Sequence, residues 1–159
     1  MLDTKALRSA FSKFATGITV LTIADESGEM YGVTVNSFSS VSLDPALILW
    51  SLGDATYALD AFLNANSYVI NVLSSHQQHV SDNFAMQGEF NRFEKISYSL
   101  NEQGLALVDD CLARFHCRKY RVDRAGDHWL FLGQINQIEE NPGEPLIYYN
   151  SGYRLLEAK

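Results

Sequence analysis

ITVLTIADESGEMYGVTVNSFSSVSLDPALILWS, residues 18–51, sets three extended segments in succession with no helix between them. Residues 18–24 are rich in β-branched side chains, which suit a pleated backbone. Glu26-Ser27-Gly28-Glu29 is a turn, so residues 31–36 are expected to return as a hairpin partner. A hydroxyl-rich stretch, Ser37 to Ser42, follows and is closed by Asp44-Pro45. Residues 46–51 are strongly apolar and read as a buried third strand.

Working outward, residues 4–15 read as a helix with Thr4 as N-cap and with Leu7, Ala10, Phe11 and Phe14 on one face. Thr16-Gly17 ends it. After the third strand, a short helix is expected over 56–63, capped by Asp54 or Thr56. A strand is expected at 67–73 and a second short helix at 77–84. Residues 86–103 are polar and irregular, with Arg92 and Phe93 as anchors. A long strand covers 111–122, a turn at Ala125-Gly126-Asp127 leads into another over 129–138, and a last strand covers 146–149 before Gly152-Tyr153-Arg154. The strands do not alternate regularly with helices, which disfavours a doubly wound parallel sheet. A mainly β fold is expected: a closed or nearly closed antiparallel barrel with a few short helices, in one domain over 1–159.

The chain has 159 residues, enough to bury a core without disulfide or metal staples. Its net charge of -7 opposes phosphate backbones, so no nucleic-acid partner is expected. No apolar run reaches the roughly 20 residues that span a bilayer, and the N-terminus lacks a signal-peptide core. No membrane association and a cytoplasmic location are therefore expected. Cys111 and Cys117 read as buried thiols about 20 Å apart on one strand face, too far for a disulfide. Neither G-x-G-x-x-G nor G-x-x-x-x-G-K-[ST] occurs, so any nucleotide is bound by other means.

Four places carry the residue types that hold a polar, phosphate-bearing ligand. Thr34-Val35-Asn36-Ser37 and the serines up to Ser42 offer hydroxyls and strand-end N–H groups, although such runs are commonly plain polar loops. Ser51-Leu52-Gly53-Asp54-Ala55-Thr56 precedes a helix, whose N-terminus suits an anion, but ordinary capping explains it equally and Asp54 would repel a phosphate unless it turns away. His128, after Gly126-Asp127, can donate a hydrogen bond or a proton, or serve structure alone. Tyr148, Tyr149, Tyr153 and Arg154 can border a flat ring and pair with phosphate, or simply pack. His76 and His79 lack a completing ligand, so no metal is expected. Arg114, His116 and Arg118 form a basic stripe that either steers an anion or is a solvated or subunit-contact face.

The order of these motifs carries more than any one of them. FSKFATGITVLT (11–22), GVTVNSFSSVSLDP (32–45), SYVINVLSS (67–75), NFA (83–85), NRF (91–93), GDHWLFLGQI (126–135) and PLIYYNSGYR (145–154) resemble, in sequence order, the flavin reductase-like family. That resemblance implies an FMN-binding split β-barrel of Greek-key type, a homodimer, and FMN or FAD reduced by NADH or NADPH, with reduced flavin passed to a partner monooxygenase. Carried over by position, Thr34, Val35, Asn36 and Ser37 line the isoalloxazine and ribityl chain. Ser40, Ser42, Ser51, Leu52 and the turn to Thr56 lie near the phosphate end. His128 faces the flavin and nicotinamide as the catalytic residue, and Phe84, Ala85 and Arg92 border that site. Relatives often carry Ser-x-Thr or a basic residue at Asp54-Ala55-Thr56, and an acidic residue at 116. Two further outcomes stay open: an FMN-retaining electron-transfer flavoprotein, and a non-catalytic flavin-binding module.

Overall fold

The computed structural model describes residues 1–88 and 91–157. Along the chain run α1 (Thr4–Phe11), β1 (Thr16–Gly17), β2 (Thr19–Ala24), β3 (Met30–Val35), β4 (Ser39–Leu43), β5 (Ala46–Gly53), α2 (Leu59–Asn64) and β6 (Ser67–Val72). Then follow α3 (Gln78–Ala85), a 3₁₀ turn at Arg92–Lys95, β7 (Tyr98–Leu100), β8 (Ala106–Val108), β9 (Ala113–Ala125), β10 (His128–Glu140), β11 (Ile147–Tyr149) and β12 (Gly152–Arg154). The fold is mostly β with few short helices. Seven strands form one sheet in the order β3-β2-β6-β9-β10-β5-β4, with every pairing antiparallel. β1, β11 and β12 form a second sheet, and β7 pairs with β8.

β3 and β4 are the two edges of the large sheet, yet only residues 36–38 join them. Four Cα steps reach at most about 15 Å. Six inter-strand spacings of a flat sheet would need about 29 Å. The sheet must therefore curl until its edges approach.

Curling gives the sheet an inside and an outside, and both are covered. β2 is buried at Thr19 through Ile23 without alternation, as a strand covered on both faces must be. Leu21 and Ile23 face an inner core with Trp50, Phe62, Tyr68, Ile70 and Phe131. Trp50 stacks on Phe131 at 4.1 Å between ring centroids. Ile18 and Val20 face an outer core with Leu73, Val80, Phe84, Phe93 and Val108. Buried Asn71 ties the layers together: its side chain donates to the Val20 carbonyl at 3.0 Å and accepts the Val108 amide at 3.0 Å.

Several local expectations are corrected. Asp3, not Thr4, caps α1, because its carboxylate accepts both the Lys5 and Ala6 amides. The helix ends at Phe11 rather than residue 15, and Thr16-Gly17 is a strand paired with β11. No residue of α1 is buried by the described chain: Phe11 is 71 % exposed, and Phe14, just past its end, 80 %. Neither Asp54 nor Thr56 caps α2, which begins at Leu59 after Ala58 with no side-chain cap. The 86–103 stretch holds the 3₁₀ turn and β7, with positions 89 and 90 outside the described residues. Cys111 precedes β9 and sits in the outer core, whereas Cys117 sits in the inner one. Burial pushes both thiols up to about 12, so they are neutral packing groups at neutral pH. No helix of the described residues is long and apolar enough to cross a membrane, and they contain no His, Cys, Asp and Glu group arranged to hold a metal.

Candidate active site

The β3–β4 crossover and the end of β5 form the framework of the site. The Ser37 hydroxyl accepts the Ser51 amide at 2.9 Å and donates to the Ser51 carbonyl at 3.2 Å. A side chain thus stands in for the next rung after Ser39 pairs with Leu49. The Ser37–Ser51 pair is the seam that fastens the crossover after β3 to the end of β5. Val35 packs against the inner core, and Leu52 is buried within it. Thr34 donates to the Ser81 carbonyl at 2.7 Å and so anchors β3 to α3.

Asn36, Ser40, Ser42 and Thr56 differ from these. Their side chains make no hydrogen bond to any described residue, and Asn36 and Ser40 are exposed. A bulge at Val41 separates Ser40 from Ser42 on the β4 edge. Asn36 adjoins Ser37, Ser40 and Ser42 lie along the β4 edge opposite Ile48 and Leu47, and Thr56 follows the end of β5. Two main-chain N–H groups of the 53–56 turn are committed: the Asp54 amide donates to the Asp127 carbonyl at 2.9 Å, and the Thr56 amide to the Gly53 carbonyl at 3.0 Å.

Asp54 does turn away. Its carboxylate accepts from the Trp129 indole at 2.9 Å and from Arg124 at 3.0 Å. That clasp fastens β5 to the β9–β10 hairpin. On the same hairpin, His128 pairs across the ladder with Gly53. A Cβ built on Gly53 would lie 3.5 Å from His128 Nε2, so the imidazole rests against a bare glycine backbone. The Nδ1 of His128 lies 2.8 Å from an Asp127 carboxylate oxygen, and this hydrogen bond holds the Asp127 carboxyl below its ordinary value. His128 is half-exposed at the rim of the seam.

A second neighbourhood meets the first through Tyr57. Its hydroxyl donates to the Gly32 carbonyl at 2.9 Å, and its ring lies 4.2 Å beneath the Arg92 guanidinium. Arg92 is 4 % exposed and donates to the Phe84 and Met86 carbonyls at the end of α3. A cation there suits the helix C-terminus. Phe84 is buried, its ring pressed on Gly32, and Ala85 closes the helix. Arg92 and Tyr57 line a cavity of about 660 Å³ with Met30, Tyr31, Phe93 and Tyr98. Tyr153 shares a 2.8 Å hydrogen bond with Ser81 and donates to Asp82 at 2.8 Å, docking β12 on α3. Exposed Arg154 donates to the Tyr153 carbonyl at 2.7 Å.

Ser37 meets Ser51, and His128 stands across from Gly53 two residues on, whereas Ser40 and Ser42 lie farther along β4, Thr34 is tied to α3, and Phe84, Ala85 and Arg92 gather at the end of α3. Tyr57 was not among the expected residues, and the pairing of Gly53 with a cross-strand histidine leaves no mark in a single sequence. The basic stripe is partly paired. Arg114 and His116 both bind Glu139 at 2.7 Å, and Arg118 binds Gln134.

The chain matches the flavin reductase like domain over residues 11–157. It is 35 % identical over 151 residues to the FMN reductase (NADH) SmoA of Agrobacterium fabrum, covering 95 % of this chain and 85 % of that one. It is 37 % identical to the reductase component of the flavin-dependent trigonelline monooxygenase of Acinetobacter baylyi, covering 94 % of this chain but 48 % of that one. The chain therefore spans about half the length of some curated relatives and most of the length of others. Among solved structures, the flavin reductase PheA2 superposes with a TM-score of 0.88 at 33 % identity, covering 99 % of this chain and 100 % of that one.

Proposed function

From the premise that this chain belongs to the flavin reductase-like family, we propose that it is an NAD(P)H-dependent flavin reductase acting on FMN or FAD. The observation that carries the proposal is the set of four polar side chains with no hydrogen bond to a described residue: Asn36, Ser40 and Ser42 on the crossover and β4 edge, and Thr56 after β5. They fit a flavin in chemistry: an amide for the edge of a polar ring, and hydroxyls for ribityl and phosphate oxygens. When bound, the flavin supplies the electron-accepting ring, and the protein contributes binding and orientation. Val35 offers an apolar flank to that ring. Thr34 fixes β3 through Ser81, and Phe84 fixes it from below. Ser51 and Leu52 hold the β5 wall, with Ala85 and Arg92 bordering the far side and Arg154 beside the C-terminal hairpin. His128 stands at the rim, where it orients the nicotinamide of the reductant.

Support for NADH comes from relatives named for it, among them an NADH-dependent flavin reductase of Rhodococcus. Reductase components of monooxygenases recur among the relatives, which supports a partner monooxygenase that consumes reduced flavin. A second copy of the chain would cover Phe11, Phe14 and Leu43, the last 97 % exposed on the β4 edge. This supports a homodimer bordering the seam. A cytoplasmic setting accords with neutral buried thiols and a supply of reduced nicotinamide. The test is flavin titration of the purified protein by fluorescence, with wild type against the Ser40→Ala/Ser42→Ala double variant. Equal affinity in the two would remove the seam as the flavin site.

A further inference from the structure

β9 outruns its neighbour on one side. β10 accompanies it from Ala113 to Ala125, but β6 covers only Ala113 to Arg118. The Lys119 amide still donates to the Asn66 carbonyl at 2.8 Å, in the short link between α2 and β6, and there the cover ends. After a bulge at Tyr120, residues 121–125 pair in regular register with residues 132–128 of β10 and with no described strand on the other side. Five residues of strand offer about 17 Å of edge. Main-chain groups left unpaired along such an edge are a template for another extended chain.

The charges along the edge select its occupant. Arg118, Lys119, Arg121 and Arg124 fall within seven positions, against one carboxylate, Asp123, in a chain of net charge -7. Arg118 binds the neutral Gln134 and Lys119 the Leu63 carbonyl, while Arg121 meets Asp123 and Arg124 meets Asp54 in exposed pairs. Exposed pairs hold weakly and can re-form around a new partner. Cations on an edge repel a like-charged strand and favour one whose side chains carry the opposite sign. A second copy paired here would bring two cationic runs together, and the apolar residues that suit a second copy, Phe11, Phe14 and Leu43, belong to other elements. A nucleic acid has no main chain to continue the ladder and is opposed by the net charge. We propose that the 121–125 edge of β9 docks an extended acidic segment of another protein as an added strand. The same hairpin continues to His128, paired with Gly53 at the end of β5, so a protein held here stands two strand spacings, roughly 10 Å, from that end. The docking edge does not depend on the reductase reading.

Fluorescence anisotropy with a labelled, alternating glutamate–threonine octapeptide at low ionic strength tests it, beside a lysine–threonine peptide and a backbone N-methylated glutamate–threonine peptide. The wild type should bind the acidic peptide about tenfold or more tightly than either control, because the lysine peptide has the wrong charge and the methylated one lacks main-chain donors. Amide exchange at residues 121–125 should slow on binding. Arg118→Glu/Arg121→Glu, with its fold checked by Tm, should reverse the preference toward the lysine peptide. Equal binding of the methylated peptide would mean attraction of charge alone, and no binding of the acidic peptide would mean a closed edge; either result overturns the proposal. A change in sedimentation of the peptide-free protein in the Arg118→Glu/Arg121→Glu variant also overturns it, since a second copy then occupies the edge. Flavin titration is read separately, so the docking edge and the flavin site stand or fall independently.

Discussion

Tyr68 stands so close over Gly133 that a Cβ on the glycine would fall 2.0 Å from the tyrosine hydroxyl oxygen and 2.8 Å from Cζ. β6 and β10 are not neighbours in the sheet, so this contact crosses the interior of the curl. Gly133 also flanks a shift in the β9–β10 register, where the sheet bends. Gly133→Ala should therefore cost about 3 kcal/mol, a fall in Tm of roughly 10 °C. Tyr68→Phe should change stability by less than about 1 kcal/mol, because the buried hydroxyl it removes makes no hydrogen bond. Thermal and urea denaturation of both variants check the pair of outcomes.

Acid stability should depend on Glu139. Its hydrogen bond from His116, followed by its contacts with Arg114, holds its carboxyl below the ordinary value of 4.5. A depressed folded value stabilises the protein above the unfolded value, and that contribution is lost as pH falls through the folded one. The pair is partly exposed, so the effect is modest. Glu139→Gln should therefore lower Tm at neutral pH and narrow its gap to the wild type below about pH 4. A gap that stays constant with pH would exclude Glu139 as the titrating group.

Thr56→Ala tests a hydroxyl that was expected to cap α2 and does not. The side chain has no partner in the chain, so stability should hold within about 0.5 kcal/mol. Flavin affinity should fall by about 1 kcal/mol, roughly fivefold, if the hydroxyl meets the phosphate end. Calorimetric titration with FMN reads both affinity and stoichiometry, and an unchanged Kd would place the phosphate elsewhere.

His128→Ala should slow hydride transfer on the order of a hundredfold while flavin affinity stays within a few fold. Stopped-flow reduction of enzyme-bound flavin isolates that step from product release. Wild-type rates in the variant would take His128 out of the reaction.

Much of the strand order was legible locally. The turn at Glu26–Glu29 and the β-branched run before it give the β2–β3 hairpin directly. What escaped depends on partners distant in sequence. Asp54 looks like a cap until Trp129 and Arg124 claim its carboxylate across the sheet. Ser37 reads as part of a polar run, and only the β4–β5 register sets its hydroxyl against Ser51. Arg92 reads as an anchor of its polar segment, but the groups it is anchored to, two carbonyls at the end of α3 and the Tyr57 ring, lie outside that segment. The basic stripe of β9 reads as free charge because Glu139 lies opposite only in the folded register. Conversely, the periodicity of α1 correctly marked one apolar face, but periodicity says nothing about whether the chain itself covers that face.

The most direct test is oxidation of NADH and of NADPH by the purified chain, followed by loss of reduced-nicotinamide absorbance, with riboflavin, FMN and FAD added in turn. The account predicts turnover that requires flavin and collapses in the Ser40→Ala/Ser42→Ala variant. No oxidation of either nucleotide with any of the three flavins would contradict it.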